Sequence, residues 1–159
     1  MDTASTLMGL GLLLLFIAPV GFLVYNQSQK EKKRAKKLSF LAGEKGYNLD
    51  ETENVHGLSL ALDKTAKKFL LLKSGEEAKL QVIDLDDISK IELHKNNEDG
   101  KNTSSLDEMR EIMLLVKTKN NSEKKLVFYA EEEDPVTQKA ERLDRAIKWQ
   151  KTLQKYTRS

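Results

Sequence analysis

Hydrophobic residues in this chain follow three regimes. From Leu7 to Tyr25 they are continuous: LMGLGLLLLFIAPVGFLVY carries no charge in nineteen residues. Between residues 58 and 129 they alternate with polar ones, and from residue 136 onward they recur every three or four positions. The patterns predict, in order, an apolar helix, a set of strands and an amphipathic helix.

At about 1.5 Å per residue the first stretch makes a rod of about 28 Å, close to the ~30 Å hydrocarbon core of a bilayer. It is apolar all round, as a membrane span is and a surface helix is not. Pro19 lacks an N–H and crowds the carbonyl of Leu15, a kink that a membrane helix tolerates. Gly9, Gly11 and Gly21 include no pair four apart within the span, so no GxxxG-type dimer is expected. A cleavable signal peptide is the rival reading. It wants a basic leader and a small-x-small cleavage site. The first six residues carry only Asp2, and Ala18-Pro19-Val20 followed by Gly21-Phe22-Leu23 supplies no such site. With no cysteine there is no lipoprotein anchor. The expectation is a retained span, and a cleaved, exported domain is the alternative.

Directly after the span the chain reads NQSQKEKKRAKK. Lys30, Lys32, Lys33, Arg34, Lys36 and Lys37 stand against the single acid Glu31. Basic flanks stay on the cytoplasmic side, so the N-terminus is expected outside and the C-terminal domain in the cytoplasm. The three Asn-x-Ser/Thr triplets at Asn26, Asn102 and Asn120 would matter only on the other side. These six basic residues also form the candidate membrane-surface site, since each adds about 1 kcal/mol of attraction to anionic headgroups. Ala35, Leu38, Leu41 and Ala42 share a helical face, predicting that the helix continues past the membrane to a C-cap at Gly46.

Charge separates this collar from the rest. Residues 38–159 hold 21 Lys/Arg and 23 Asp/Glu, a balance of −2, whereas the whole chain is +2. The basic pI therefore belongs to the collar and gives no support to nucleic-acid binding. The domain plan is a short extracytoplasmic tail (1–6), the span (7–25), a basic juxtamembrane helix or linker (26–46) and one soluble domain (47–159).

Inside that domain Leu58, Leu60 and Leu62 alternate with Ser59, Ala61 and Asp63. A turn at Asp63-Lys64-Thr65 leads into Lys68-Phe69-Leu70-Leu71-Leu72-Lys73, and Ser74-Gly75-Glu76 turns the chain again. Leu80, Val82 and Leu85 continue the next strand to Asp86-Asp87. Ile91 and Leu93 mark another. NNEDGKNTSS, 96–105, reads as a flexible polar loop. Ile112, Leu114 and Val116 pair with 126–129 across Asn120-Asn121-Ser122, the short connection of antiparallel neighbours. For the final helix Asp134 is expected as N-cap with Pro135 at the first helical position. Glu131, Glu132 and Glu133 precede its positive end, and Lys151, Lys155 and Arg158 lie at its negative end. Val136, Ala140, Leu143 and Ile147 form one stripe, and Ala146, Trp149, Leu153 and Tyr156 an adjacent one.

About seven strands followed by one amphipathic helix resembles the bacterial pleckstrin-homology-like (PH-like, GRAM-type) superfamily. The segment Ile83-Asp84-Leu85-Asp86-Asp87-Ile88-Ser89-Lys90-Ile91-Glu92-Leu93 and the position of Trp149 in the last helix carry the likeness. The resemblance implies a mainly β fold with a terminal α-helix: an antiparallel β-sandwich or barrel closed at one corner by that helix. It also implies binding of lipid, peptide or protein. Phosphoinositide-binding members carry Lys and Arg around the first hairpin. Here Leu49 to Gly57 holds three acids and no Lys or Arg, so an acidic loop there would repel a headgroup.

Catalytic chemistry finds little to work with. There is no cysteine, and His56 and His94 are the only histidines, neither in a metal-binding spacing. Gly100-Lys101 is not a phosphate-binding loop. Asn97, Asp99 and Gly100 fall at calcium-loop offsets, but Lys95 and Leu106 occupy ligand positions that need oxygen. The expectation is a non-enzymatic protein with no cofactor and no metal. It would be integral to the lipid bilayer and present a cytoplasmic binding or scaffold domain to an unidentified protein partner. The alternative function is sensing of anionic headgroups through the collar.

Overall fold

The computed structural model describes residues 3–55, 57–73 and 79–157. Asp2, His56, the Ser74-Gly75-Glu76 turn and Arg158 lie outside the described residues.

Helix α1 runs from Thr3 to Glu44 as one 42-residue element with Pro19 inside it, a length of about 63 Å. It is long and apolar enough over its first half to cross a membrane. It ends as a Schellman cap. Gly46, at φ +74°, donates to the Gly43 carbonyl at 3.0 Å, and Tyr47 donates to the Ala42 carbonyl at 2.9 Å. Glycine takes that left-handed conformation without the clash a Cβ would bring.

Seven antiparallel strands follow in two sheets. β1 (Glu51–Val55), β2 (Leu58–Asp63), β3 (Lys68–Lys73) and β4 (Leu80–Asp84) lie in sequence order in the first. β5 (Ile88–Asn96), β6 (Glu111–Thr118) and β7 (Glu123–Ala130) make the second, and the two sheets are not closed into a barrel. The terminal helix α2 spans Lys139–Thr157. The strand expected to run on through Leu85 instead stops at Asp84. A single 3₁₀ turn, Leu85–Asp87, carries the chain to the second sheet, with the Asp84 carboxylate accepting the Asp86 N–H at 3.1 Å.

Two cores result. Leu60, Leu62, Phe69, Leu71 and Ile83 face the second sheet and α2, where they meet Leu114, Phe128, Trp149 and Leu153. On the reverse face of the first sheet, Ala61, Leu70 and Leu72 are buried under Leu38 and Ala42 of α1, with Leu41, Tyr47 and Leu49 beside them. Every residue of β2 is therefore buried. This includes Asp63, whose carboxylate accepts the Asn48 and Ala66 N–H groups at 2.8 and 2.7 Å. The juxtamembrane face expected at Ala35–Ala42 is thus where the stem helix docks.

Several local expectations change. The acidic 49–57 segment is not a loop: Glu51–Val55 is an edge strand in register with β2. The polar 96–105 stretch is pinned by its own hydrogen bonds. The Asn97 side chain accepts from Asp99 and Lys101 N–H, and Asn96 bridges to Asn102. Helix α2 begins later than expected. Pro135 stays extended at ψ 136°, a 3₁₀ turn Val136–Gln138 intervenes, and no side chain caps that turn. Asp134 instead accepts the Ala130 N–H at 2.9 Å, tying back the end of β7. Of the two stripes, the one through Ala146, Trp149 and Leu153 is buried. Leu143 and Tyr156 pack at the core's margin, while Val136 and Ala140 are exposed.

Candidate functional site

The six basic residues of the collar sit on α1 between its apolar half and its docked end. With about 100° per residue, Ser28, Glu31, Ala35, Leu38 and Ala42 form one stripe at spacings of three and four. Leu38 and Ala42 are buried, and Glu31 and Ala35 are partly buried. Lys30, Lys32, Lys33, Lys36 and Lys37 all fall off that stripe and are exposed, whereas Arg34 is half-buried. The structure thus splits the candidate set: five lysines face solvent, and Arg34 leans toward the domain.

The direction of the stem follows from its neighbours. Its end at Gly46 leads through Asn48 to the Asp63 end of β2. Ser28 and Glu31 instead share a groove with Asn54 of β1 and with Gln138, Glu141, Arg142 and Arg145. The apolar half of α1 therefore departs from the β1–β2 hairpin end of the first sheet.

A second basic feature lies at that same end, and sequence reading missed it. Lys73 closes β3 opposite Leu58 in register. Lys73 lines a cavity with Lys124 and Lys125 from the start of β7, over Leu58, Leu71 and Leu126. None of these three lysines has an ion-pair partner among the described residues. Neither sequence segment is basic enough alone to draw notice; packing of the two sheets brings them together.

Where α2 begins, the charges are mostly paired, and Lys139 and Arg142 are buried. Arg110 forms a close ion pair with Glu131, raising the guanidinium and lowering the carboxyl from their ordinary pKa values through that hydrogen bond. Buried Lys139 lies 3.6 Å from Glu131 and 5.5 Å from the Tyr129 ring centroid. Burial pushes the Tyr129 phenol up. Arg145 bridges Glu53 at 3.1 Å and also pairs with Glu141. The acids 131–133 are thus partly a structural ion-pair cluster, since Glu131 joins the end of β7 to Arg110, just before β6, and to Lys139 of α2.

His94 stands half-buried on β5 opposite Met113. Among the described residues no group of three or more His, Asp or Glu side chains could hold a metal ion. Comparison with family models, with curated proteins and with solved structures gives no match.

Proposed function

We propose that this chain is a single-pass membrane protein, N-terminus outside, holding a cytoplasmic PH-like binding module against the inner headgroup layer. No catalytic step is assigned to it. The reading rests on one observation above the others. A single helix is apolar over 7–25, leaves five lysines exposed just beyond, and docks by the opposite stripe on the domain. A flexible linker would let the domain wander; a docked helix keeps the hairpin end of the first sheet turned toward the bilayer. Four-plus-three antiparallel strands with a terminal helix support the PH-like assignment. The collar and the Lys73/Lys124/Lys125 cleft then lie toward the same end of the first sheet, so anionic lipid is the partner favoured by charge.

Flotation tests this. Residues 26–159 keep both cores and should float with vesicles containing phosphatidylglycerol and not with neutral vesicles. About 0.5 M salt, with a Debye length near 4 Å, should release them. Replacing the five collar lysines by Gln should abolish flotation. Equal flotation on neutral vesicles, or insensitivity to salt, would remove the electrostatic reading.

A further inference from the structure

The groove between α1 and the start of α2 contains two opposite charges that form no ion pair. Of its lining residues, Glu141 and Arg145 pair with each other, and Arg145 also holds Glu53. That leaves Glu31 on the stem and Arg142 on α2, which line the same groove with no ion pair to each other or to any described residue. Arg142 is only 7% exposed. Its Nη2 donates to Gln138 Oε1 at 3.0 Å, and its Nη1 has no acceptor. A guanidinium buried with an unused donor is costly unless something satisfies it. Glu31 is also the one acid in the basic collar, and it lies on the stripe that faces the domain.

Depth narrows what could sit there. Ser28 and Glu31 follow Tyr25 by three and six residues, about 5 and 9 Å along the helix. The headgroup layer of one leaflet is about 5–8 Å deep. On the anchored reading above, on which this inference rests, Ser28 falls within that layer and Glu31 just past its inner edge, so the groove opens at the inner boundary of the headgroups. Ser28, Asn54 and Gln138 add a hydroxyl and two amides, donors suited to phosphate oxygens.

We propose that this groove binds the headgroup of a zwitterionic phospholipid, with the phosphodiester on Arg142 and a primary ammonium on Glu31. A headgroup with negative charge alone would satisfy Arg142 but face the Glu31 carboxylate. A quaternary ammonium has no N–H to donate. Phosphoethanolamine carries both required groups, so the site selects it over phosphoglycerol and phosphocholine.

The experiment is native mass spectrometry of the full chain released from nanodiscs containing equal parts of phosphatidylethanolamine, phosphatidylglycerol and phosphatidylcholine. The wild type should retain one phosphatidylethanolamine in preference to the other two. Arg142→Gln should lower that retention about tenfold or more, the loss of one charged hydrogen-bonding partner. Glu31→Gln, on the stem and outside both cores, should keep a lipid but shift the preference to phosphatidylglycerol. Equal retention of the three lipids by the wild type, or an unchanged preference in Glu31→Gln, overturns the site. Binding of soluble glycerophosphoethanolamine without retained lipid overturns the bilayer as its source. A chain that never enters the discs overturns the anchored reading itself.

Discussion

Trp149 packs on Phe69 with ring centroids 5.7 Å apart and planes tilted by 39°, joining the terminal helix to the centre of the first sheet. Its Nε1 reaches Glu53 of β1 at 3.4 Å, and Arg145 holds the other carboxylate oxygen of the same glutamate. One helix face thus grips both an inner strand and an edge strand of the sheet it closes.

The first expectation follows from that contact. Trp149 is 2% exposed, so Trp149→Ala should cost about 3–5 kcal/mol, the range for a fully buried large aromatic. Urea unfolding followed by circular dichroism would measure it, since the variant loses the chain's only tryptophan. Trp149→Phe should cost less, because the ring contact survives and only the weak Glu53 bond is lost. A cost below ~0.5 kcal/mol for the alanine variant would contradict the burial of this ring.

Asp63 gives an acid-side signature. The N–H of Ala66 above all, with those of Asn48 and Thr65, holds its carboxyl below the ordinary value of 3.8, outweighing desolvation. A folded-state pKa below the unfolded one means stability that is fully present above about pH 4 and lost as pH falls through the folded value. Asp63→Asn should therefore be destabilised at pH 7 by about 1.5–3 kcal/mol, as expected for hydrogen bonds to a charged group. That gap should narrow steadily below pH 4. A gap that stays constant down to pH 2 would place the effect in packing, not in the charge.

Much of this fold was legible because its strands obey simple patterns. The run Phe69-Leu70-Leu71-Leu72 has no polar side, the pattern of a strand covered on both faces. In β2, however, Ser59, Ala61 and Asp63 read as an outward polar face, yet all three are buried: Ala61 under Leu38 and Ala42 of α1, Ser59 with its hydroxyl on Asn54, and Asp63 with its carboxylate on the Asn48 and Ala66 N–H groups. Nothing local announces that cover. The docking stripe begins at Ser28 and Glu31, which are polar, so apolar periodicity finds only its later half at Ala35–Ala42. Asp134-Pro135 carried the right residue types for a helix start. The Ala130 N–H took the carboxylate, and the helix began after the following 3₁₀ turn. The Lys73/Lys124/Lys125 cleft was invisible for a different reason: strands of both sheets line it, and no stretch of sequence contains it.

At the far end of the stem, Gly46 sits at φ +74° with nothing within 4 Å of where a Cβ would be. Gly46→Ala should then cost only the left-handed backbone penalty, about 1–2 kcal/mol. Gly46→Asn should cost less, since asparagine tolerates that region. Thermal unfolding in detergent would rank the three chains. Equal stability of the alanine variant would mean that the cap at Ala42 and Tyr47 is not holding the stem.

The last expectation concerns where the folded unit starts. Leu38 is 2% exposed and Ala42 fully buried against Ala61, Leu70 and Leu72. Leu38→Ala should cost about 2–5 kcal/mol, even though residue 38 precedes the 47–159 stretch that looks like a complete domain in sequence. Removing residues 1–46 should do more. It strips the cover from the reverse face of the first sheet, exposing a contiguous patch of leucine, alanine and valine of the kind that drives association. Chains 26–159 and 47–159 compared by size-exclusion chromatography should separate cleanly: the longer monodisperse, the shorter aggregated or retained on the matrix. Lys37→Gln, one residue away but exposed and off the stripe, should leave both stability and elution unchanged. If 47–159 elutes as a stable monomer with the melting temperature of 26–159, the stem is not part of the folded unit. On the anchored reading proposed above, orientation of the domain would then have to be set by charge alone.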